Sequence, residues 1–80
     1  MFVKVMNELI NLDKVDAIES VRVPNENDIK KSWSKIIFYK NFNVNNIVDE
    51  ICFDHVEEAD ECLEELSKAI ATGKNFFEIE

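Results

Sequence analysis

The residues best suited to metal binding or nucleophilic chemistry are two cysteines and the single histidine. Cys52 and His55 have the Cys-x2-His spacing that can clasp zinc, and Cys62 follows on the next helical segment. Structural zinc sites normally have four ligands in paired Cys-x2-Cys or His-x3-His spacings, and the fourth ligand is missing here. We therefore expect no metal site, and we interpret both cysteines as reduced packing residues.

The same three residues include the only candidate nucleophile and base, a cysteine thiol with His55. The chain has no Gly-rich phosphate loop, no nucleophile elbow and no His-Glu-x-x-His motif to support them. Its clustered carboxylates do not resemble a glycosidase pair, because on an exposed helical face nothing would raise one pKa and leave the other low. We expect no catalytic residues, no cofactor and no enzyme activity.

Acidic residues are the strongest departure from average composition. Residues 1–40 have a net charge of +1 and residues 41–80 a net charge of −9, so the second half carries the whole excess of −8. No basic residue lies between Lys40 and Lys68. That gap contains nine acids, which are Asp49, Glu50, Asp54, Glu57, Glu58, Asp60, Glu61, Glu64 and Glu65. Such a surface repels nucleic acid and anionic membranes and favours a basic protein partner.

The acids also have a regular spacing. Seven of them fall within the eleven residue steps from Asp54 to Glu65, which in a helix is about one charge per 2.4 Å. Duplex DNA presents one charge per roughly 1.7 Å, so this helix could occupy a groove built for phosphates. The predicted partner-binding residues are Asp49, Glu50, Glu57, Glu58, Asp60, Glu61, Glu64 and Glu65. The alternative is that the acids only solvate the outward face of an amphipathic helix.

A helix over about residues 55–72 would position most of these acids. Its apolar stripe has spacings of three and four residues and consists of Val56, Ala59, Leu63, Leu66 and Ile70. Asp54, with Glu57 three residues later, predicts an N-cap. Gly73 predicts a left-handed C-cap, so the helix should end just before it.

Short β-prone segments over about residues 2–53 predict four to five strands. A hairpin over residues 2–12 turns at Asn7-Glu8, and a third strand spans Val15 to Val23 with a bulge at Ala17-Ile18. An exposed loop, Pro24 to Lys31, leads to the strand Trp33 to Lys40. That strand is apolar on both faces and should therefore be central.

A turn at Asn41 to Asn46 should lead into the fifth strand, in which Ile47, Ile51 and Phe53 face the core. Residues 73–80 form a tail whose segment Phe76 to Ile79 could be an edge strand, pack as a tail or contact a partner. The predicted fold is thus a single α+β domain over residues 1–80, with an antiparallel sheet of four to five strands packed against one C-terminal amphipathic helix.

The lengths of the apolar runs and the positions of the lysines predict the cellular location and the capacity to bind nucleic acid. No apolar run approaches the roughly 18 residues of a membrane span, and the first residues lack a secretory signal, so we expect a cytoplasmic protein without membrane contact. Lys30, Lys31 and Lys35 surround Trp33, the mixture found in single-strand binders. This patch is too small against the total charge, and we expect no direct binding of nucleic acid.

The stretch from Ile10 to Glu19 leads into a strand, and several short strands precede one helix. This order is similar to that of small bacterial and phage proteins with four or five strands and a helix. The composition, rich in acids, Asn, Ile and Lys, resembles small phage-encoded inhibitors of bacterial defence and nucleic-acid enzymes, anti-CRISPR proteins among them. The resemblance implies steric or charge-mimicking inhibition without catalysis, in a bacterial host cell.

Two functions are consistent with these observations. The first is a non-enzymatic inhibitor whose acidic helix binds a basic groove of a nucleic-acid-binding protein. The second is a structural or regulatory module that forms a homodimer through a sheet edge or the C-terminal tail, with the acids serving only solubility. The two differ in their response to salt, because charge mimicry weakens steeply with ionic strength and an apolar dimer does not.

Overall fold

The computed structural model describes residues 1–41 and 45–79. The elements, in chain order, are β1 (Phe2–Val5), β2 (Glu8–Asn11), β3 (Ala17–Val23), β4 (Trp33–Tyr39), β5 (Ile47–Phe53), α1 (Val56–Ala71) and β6 (Phe76–Ile79). Single 3-10 turns at Leu12–Lys14 and Ile29–Lys31 precede β3 and β4. The predicted α+β class, with one C-terminal helix packed on an antiparallel sheet, is confirmed.

The strands are divided between two three-stranded sheets. The antiparallel sheet has the order β3-β4-β5, so β4 is its central strand, as predicted. The mixed sheet has the order β2-β1-β6, in which β1 is antiparallel to β2 and parallel to β6. The predicted β1–β2 hairpin is present, but its turn lies one residue earlier than predicted, at Met6-Asn7, because Glu8 already begins β2. Met6 has a left-handed conformation with a φ of 52°. This division places an inner face of each sheet around one core.

An apolar core lies between α1 and the inner faces of the sheets. Its buried members are Val3, Ile10, Ile36, Phe38, Ala59, Leu66 and Ile79. Helix α1 packs mainly on β3, β4 and β5. The predicted helical stripe is buried at Ala59 and Leu66, where α1 crosses the sheet. Ile70, near the end of the helix, is half exposed.

Two predicted details of the strands differ from the structure. Ile47 does not face the core, because it lies where β5 begins and is 46% exposed. No bulge occurs at Ala17-Ile18, and β3 pairs with β4 without interruption. The irregularity lies instead where β5 pairs with Phe38 and Tyr39, which lets two β5 residues share one partner. The turn predicted at residues 41–46 lies partly outside the described residues.

The N-terminus of α1 also differs from the prediction. His55, in an extended conformation, occupies the N-cap position, and its carbonyl accepts a 3.2 Å hydrogen bond from the Glu58 amide. No side chain caps this end of the helix. Asp54 lies one position too early, because the capping carboxylate must belong to the residue that immediately precedes the first helical residue.

The C-terminus of α1 has the predicted left-handed glycine. Gly73 has a φ of +73° and donates a 3.1 Å hydrogen bond to the Ile70 carbonyl, and Lys74 donates one of the same length to the Ala69 carbonyl. These paired bonds define a Schellman motif, which satisfies two carbonyls that the helix leaves free. The motif turns the chain towards β6.

The C-terminal tail forms a strand. In β6, Phe76 lies opposite Phe2 and Ile79 lies opposite Val5, and the Phe2 amide donates a 2.9 Å hydrogen bond to the Asn75 carbonyl. Ile79 is buried in the core. Of the three predicted alternatives for the tail, the edge strand is therefore correct.

Ser34 on β4 offers a test of the core. Its side chain is 1% exposed, and among the described residues its Oγ has no hydrogen-bond partner. A buried hydroxyl without a partner costs free energy that alanine avoids. We expect Ser34→Ala to raise the free energy of unfolding by about 1 kcal/mol, which is roughly 4 to 8 °C in Tm for a domain of this size. Thermal unfolding followed by circular dichroism measures this.

Ser32→Ala is the matched control for that substitution. Ser32 is also buried, but its Oγ accepts a 3.5 Å hydrogen bond from the Arg22 guanidinium. The control should therefore leave the Tm unchanged or lower it. A decrease in Tm for Ser34→Ala as large as that for Ser32→Ala would show that the Ser34 hydroxyl contributes to stability.

Candidate functional site

Six of the eight predicted partner-binding residues lie on α1 and are exposed to solvent. They are Glu57, Glu58, Asp60, Glu61, Glu64 and Glu65. They span eight residue steps, or about 12 Å of helix axis, which is about one carboxylate per 2 Å. The spacing is closer than the sequence indicated because Asp54, which widened the average, lies outside the helix. It approaches the roughly 1.7 Å per phosphate of duplex DNA.

The six carboxylates occupy two flanks of the helix. Residues three and seven positions apart lie on the same side of an α-helix. Glu58, Glu61 and Glu65 therefore form one row, here called the β6 flank. Glu57, Asp60 and Glu64 form the other row, here called the β3 flank. The Ser20 hydroxyl of β3 donates a 3.3 Å hydrogen bond to Asp60, which ties the β3 flank to the antiparallel sheet.

Pairing within the protein neutralises almost none of this charge. Glu64 Oε1 lies 3.5 Å from Lys68 Nζ, and both side chains are largely exposed. An exposed pair of this kind contributes about 0.3 to 0.5 kcal/mol. In the described ranges no other carboxylate of the two flanks has an ion-pair partner. Five of the six carboxylates thus have no ion-pair partner among the described residues.

Asp49 and Glu50 do not join the helical acids. Both lie on β5, where alternation directs them to opposite faces of the sheet. Glu50 pairs in register with Ile37 on the face away from α1, and its Oε1 lies 3.2 Å from Lys35 Nζ. Asp49 lies on the other face, where it shares a side-chain hydrogen bond with Glu8. The eight predicted residues therefore do not form one continuous surface.

The contact between Glu8 and Asp49 brings two carboxyl groups together from different sheets. Their hydrogen bond, followed by charge repulsion from Asp49, raises the pKa of Glu8 above its ordinary value of 4.5. Because folding raises the pKa of Glu8, the Glu8–Asp49 contact contributes favourably to the free energy of unfolding at low pH. This contribution is lost as pH rises through the folded-state pKa of Glu8.

We therefore expect Glu8→Gln to raise the Tm at pH 7, where it removes the repulsion, and to have little effect at pH 3.5. Thermal unfolding at the two pH values measures the difference. Glu26→Gln, an exposed position on the β3–β4 connection, is the control. An equal response of the Tm to pH in both variants would show that the Glu8–Asp49 contact has no influence on stability.

A cleft lies beside the β6 flank, between α1 and the strands β5 and β6. Its volume is about 280 Å³. Its lining residues are Phe53, Glu58, Glu61, Cys62, Glu65, Phe77, Glu78 and Ile79. Apolar groups from the core form part of this lining, because Phe53, Cys62 and Phe77 pack against the core cluster. The cleft therefore combines aromatic surface with carboxylates and contains no basic lining residue.

A larger cavity of about 530 Å³ lies where β3 meets the C-terminal half of α1. Its apolar lining includes Leu12, Val15, Ile18, Leu63 and Ile70. Asp13 and Asp16 also line it, but both already have partners: Asp13 lies 3.7 Å from the terminal ammonium group and Asp16 accepts a hydrogen bond from the Asn41 amide. Ser67 and Lys74 line it as well, so this cavity, unlike the smaller cleft, contains both acidic and basic side chains.

Cys52, Cys62 and His55 are the residues that the sequence offered for metal binding or nucleophilic chemistry. Cys52 is exposed, so the prediction that it packs in the interior is wrong, because it lies on the open face of β5. Burial, with a smaller effect of Glu65, raises the pKa of the Cys62 thiol, which makes it a weaker nucleophile. Over residues 1–41 and 45–79, no three His, Cys, Asp or Glu side chains are placed to share a metal ion.

Comparisons with known proteins add no relative. No model of a protein family, no curated protein and no solved structure matches this chain. Within the described part of the chain, no helix has both the length and the apolar character needed to cross a bilayer.

Sequence reasoning missed the cleft beside the β6 flank. Phe53 and Phe77 are 24 residues apart in the chain, and they belong to different sheets, because β6 pairs with β1. The available signal was the row Glu58, Glu61 and Glu65, whose spacing separates it from the other helical acids. The residues that face this row could not be identified before the sheets were known.

Proposed function

We propose that this chain is a non-enzymatic inhibitor whose acidic helix binds the basic groove of a nucleic-acid-binding protein in place of nucleic acid. The observation that carries the proposal is the set of six exposed carboxylates on α1. Among the described residues, only Glu64 of this set has an ion-pair partner. Their spacing of about 2 Å is close to that of phosphates along duplex DNA. A phage or prophage protein that counteracts bacterial defence would use such a surface.

The rigid attachment of α1 supports this proposal further. Leu66 and Ala59 are buried against the sheet, and the Schellman motif stops the helix at Gly73. A partner would therefore meet carboxylates whose backbone is already ordered, which lowers the entropic cost of binding. All six helical carboxylates face solvent along the first ten residues of α1.

The test is a pull-down from bacterial lysate with the purified protein at low salt, eluted in a salt gradient. We expect capture of a basic nucleic-acid-binding protein, because surface charges attract strongly when the Debye length is long. Duplex DNA added to the column should displace the captured protein, since both would occupy one groove. Capture that resists both salt and DNA would contradict charge mimicry.

A specific observation favours a second function, homodimerisation through the mixed sheet. Phe2, Leu9 and Phe76 lie on the outer face of that sheet and are 46%, 64% and 52% exposed. Exposed apolar residues on neighbouring strands are typical of an interface. Sedimentation equilibrium separates the two functions. A dimer that persists at high salt supports the second, and a monomer at all concentrations contradicts it.

A further inference from the structure

The cleft beside the β6 flank is the strongest unassigned feature of the molecule. Three of its carboxylates come from α1, at Glu58, Glu61 and Glu65, and Glu78 of β6 also contributes to the lining. Glu78 alternates with Phe77 and Ile79, so its side chain lies on the outer face of the mixed sheet. None of the three helical carboxylates has an ion-pair partner in the described residues. Like charges gathered around one cavity repel each other, and a cation placed among them removes that repulsion.

The positions of these carboxylates do not suit a metal ion. The described acids include no group of three that could share a metal ion. Calcium requires six to eight oxygen ligands at 2.3 to 2.6 Å, so carboxylates spread along two helical turns do not suit it. A longer organic cation can contact several of them at once.

The aromatic lining selects among organic cations. Phe53 of β5 and Phe77 of β6 are half-buried and line the cleft together with the glutamates. A planar guanidinium stacks on an aromatic ring and donates two parallel hydrogen bonds to a carboxylate, whereas an ammonium is a compact, strongly hydrated charge. Burial and the nearby Glu65 raise the pKa of the Cys62 thiol, in agreement with a partly desolvated, negative environment.

We propose that this cleft is a receptor for a single arginine side chain of the protein partner, with the guanidinium between the β6 flank and the phenylalanine rings. The inference rests on the proposed function for its biological partner and deepens it by assigning one specific contact. In this arrangement the two flanks differ in role. The β6 flank holds an inserted arginine, and the β3 flank contributes only long-range attraction.

The experiment is an NMR titration of the ¹⁵N-labelled full chain at low salt. The probe is the peptide acetyl-Gly-Arg-Arg-Gly-amide, and the comparison is acetyl-Gly-Lys-Lys-Gly-amide. We expect the arginine peptide to shift the amide signals of Phe53, Cys62 and Phe77 and to bind at least threefold more tightly than the lysine peptide. Equal affinity for the two peptides, or shifts confined to other parts of the protein, would overturn the assignment.

Two double variants with the same change in net charge test whether the arginine peptide binds in the cleft. Glu61→Gln plus Glu65→Gln removes two carboxylates from the cleft. Glu57→Gln plus Asp60→Asn removes two from the β3 flank, which does not line it. We expect the first pair to weaken binding of the arginine peptide at least fivefold and the second pair to weaken it less than twofold. Equal losses would show diffuse attraction and reject the receptor site.

A third variant tests the aromatic contact. Phe77→Leu keeps an apolar side chain against the core and removes the π surface, so it should reduce the preference for arginine over lysine. Dispersed amide signals confirm that each variant is folded. An unchanged preference in a folded Phe77→Leu protein would contradict stacking on this ring.

The outcomes distinguish this inference from the proposed function. If the peptide binds in the cleft but the lysate experiment captures no basic protein, the arginine site stands and the inhibitor function fails. If a basic partner is captured and displaced by DNA, but both double variants retain it equally, the inhibitor function stands and the arginine site fails.

Discussion

The Phe38→Ala variant is expected to lose a large share of the protein's free energy of unfolding. Phe38 is fully buried on the central strand β4 and belongs to the core cluster beneath α1. Replacement of a buried phenylalanine by alanine costs about 3 to 5 kcal/mol through lost burial and the remaining cavity. A domain of 80 residues has a total free energy of unfolding of only about 4 to 12 kcal/mol at typical values per residue.

Urea unfolding followed by circular dichroism measures this effect, and Phe76→Ala is the matched control. Phe76 undergoes the same chemical change but is 52% exposed on an edge strand, so its loss should be much smaller. If the two variants lost equal stability, the core could not be centred on β4. The position of α1 over the antiparallel sheet would then also be incorrect.

The Glu61→Lys plus Glu64→Lys variant is expected to lose at least tenfold in affinity for the captured partner, or about 1.4 kcal/mol or more. It reverses one charge on each flank of α1 and changes the net charge of the chain from −8 to −4. Each lysine replaces attraction with repulsion towards a basic groove. Binding measured by isothermal titration at low salt should show the full difference, and 0.5 M salt should reduce it.

Glu26→Lys plus Asp28→Lys is the control for net charge. It makes the same change in charge on the β3–β4 connection, outside the proposed binding surface. If affinity follows the total charge alone, both variants will weaken binding equally, and the helix will have no special role. If only the helical variant weakens binding, the exposed carboxylates of α1 form the contact. Both variants should unfold at similar temperatures, because the substituted side chains are solvated or hold only local contacts.

Several features of the fold could be predicted from local patterns. The helix was placed to within one residue at each end, because an apolar stripe at helical period and a glycine C-cap are both local signals. The β1–β2 hairpin and the central position of β4 were also predicted correctly, since each depends on residues close together in the chain. The N-cap residue was predicted incorrectly. Asp54 and His55 are adjacent, and the path of the chain from β5 places His55 at the N-cap.

Long-range pairing explains what could not be predicted. The strands divide into two sheets because β1 pairs with β6, at the other end of the chain, and nothing in Phe76 to Ile79 by itself specifies a parallel partner. The location of the bulge depended in the same way on how β5 meets Tyr39. Such contacts involve the loss of loop entropy over many residues, and only the complete core compensates for it.

The composition of the candidate site follows from local sequence alone, because six acids lie on one predicted helix with no basic residue until Lys68. The grouping of those acids depends on the packing of the strands. This packing directed Glu50 away from α1, brought Asp49 to Glu8, and placed Phe53 and Phe77 beside one row of glutamates. Charge and periodicity are local properties of a chain, whereas the neighbours of a side chain depend on which strands pair, and this pairing is fixed only when the whole core forms.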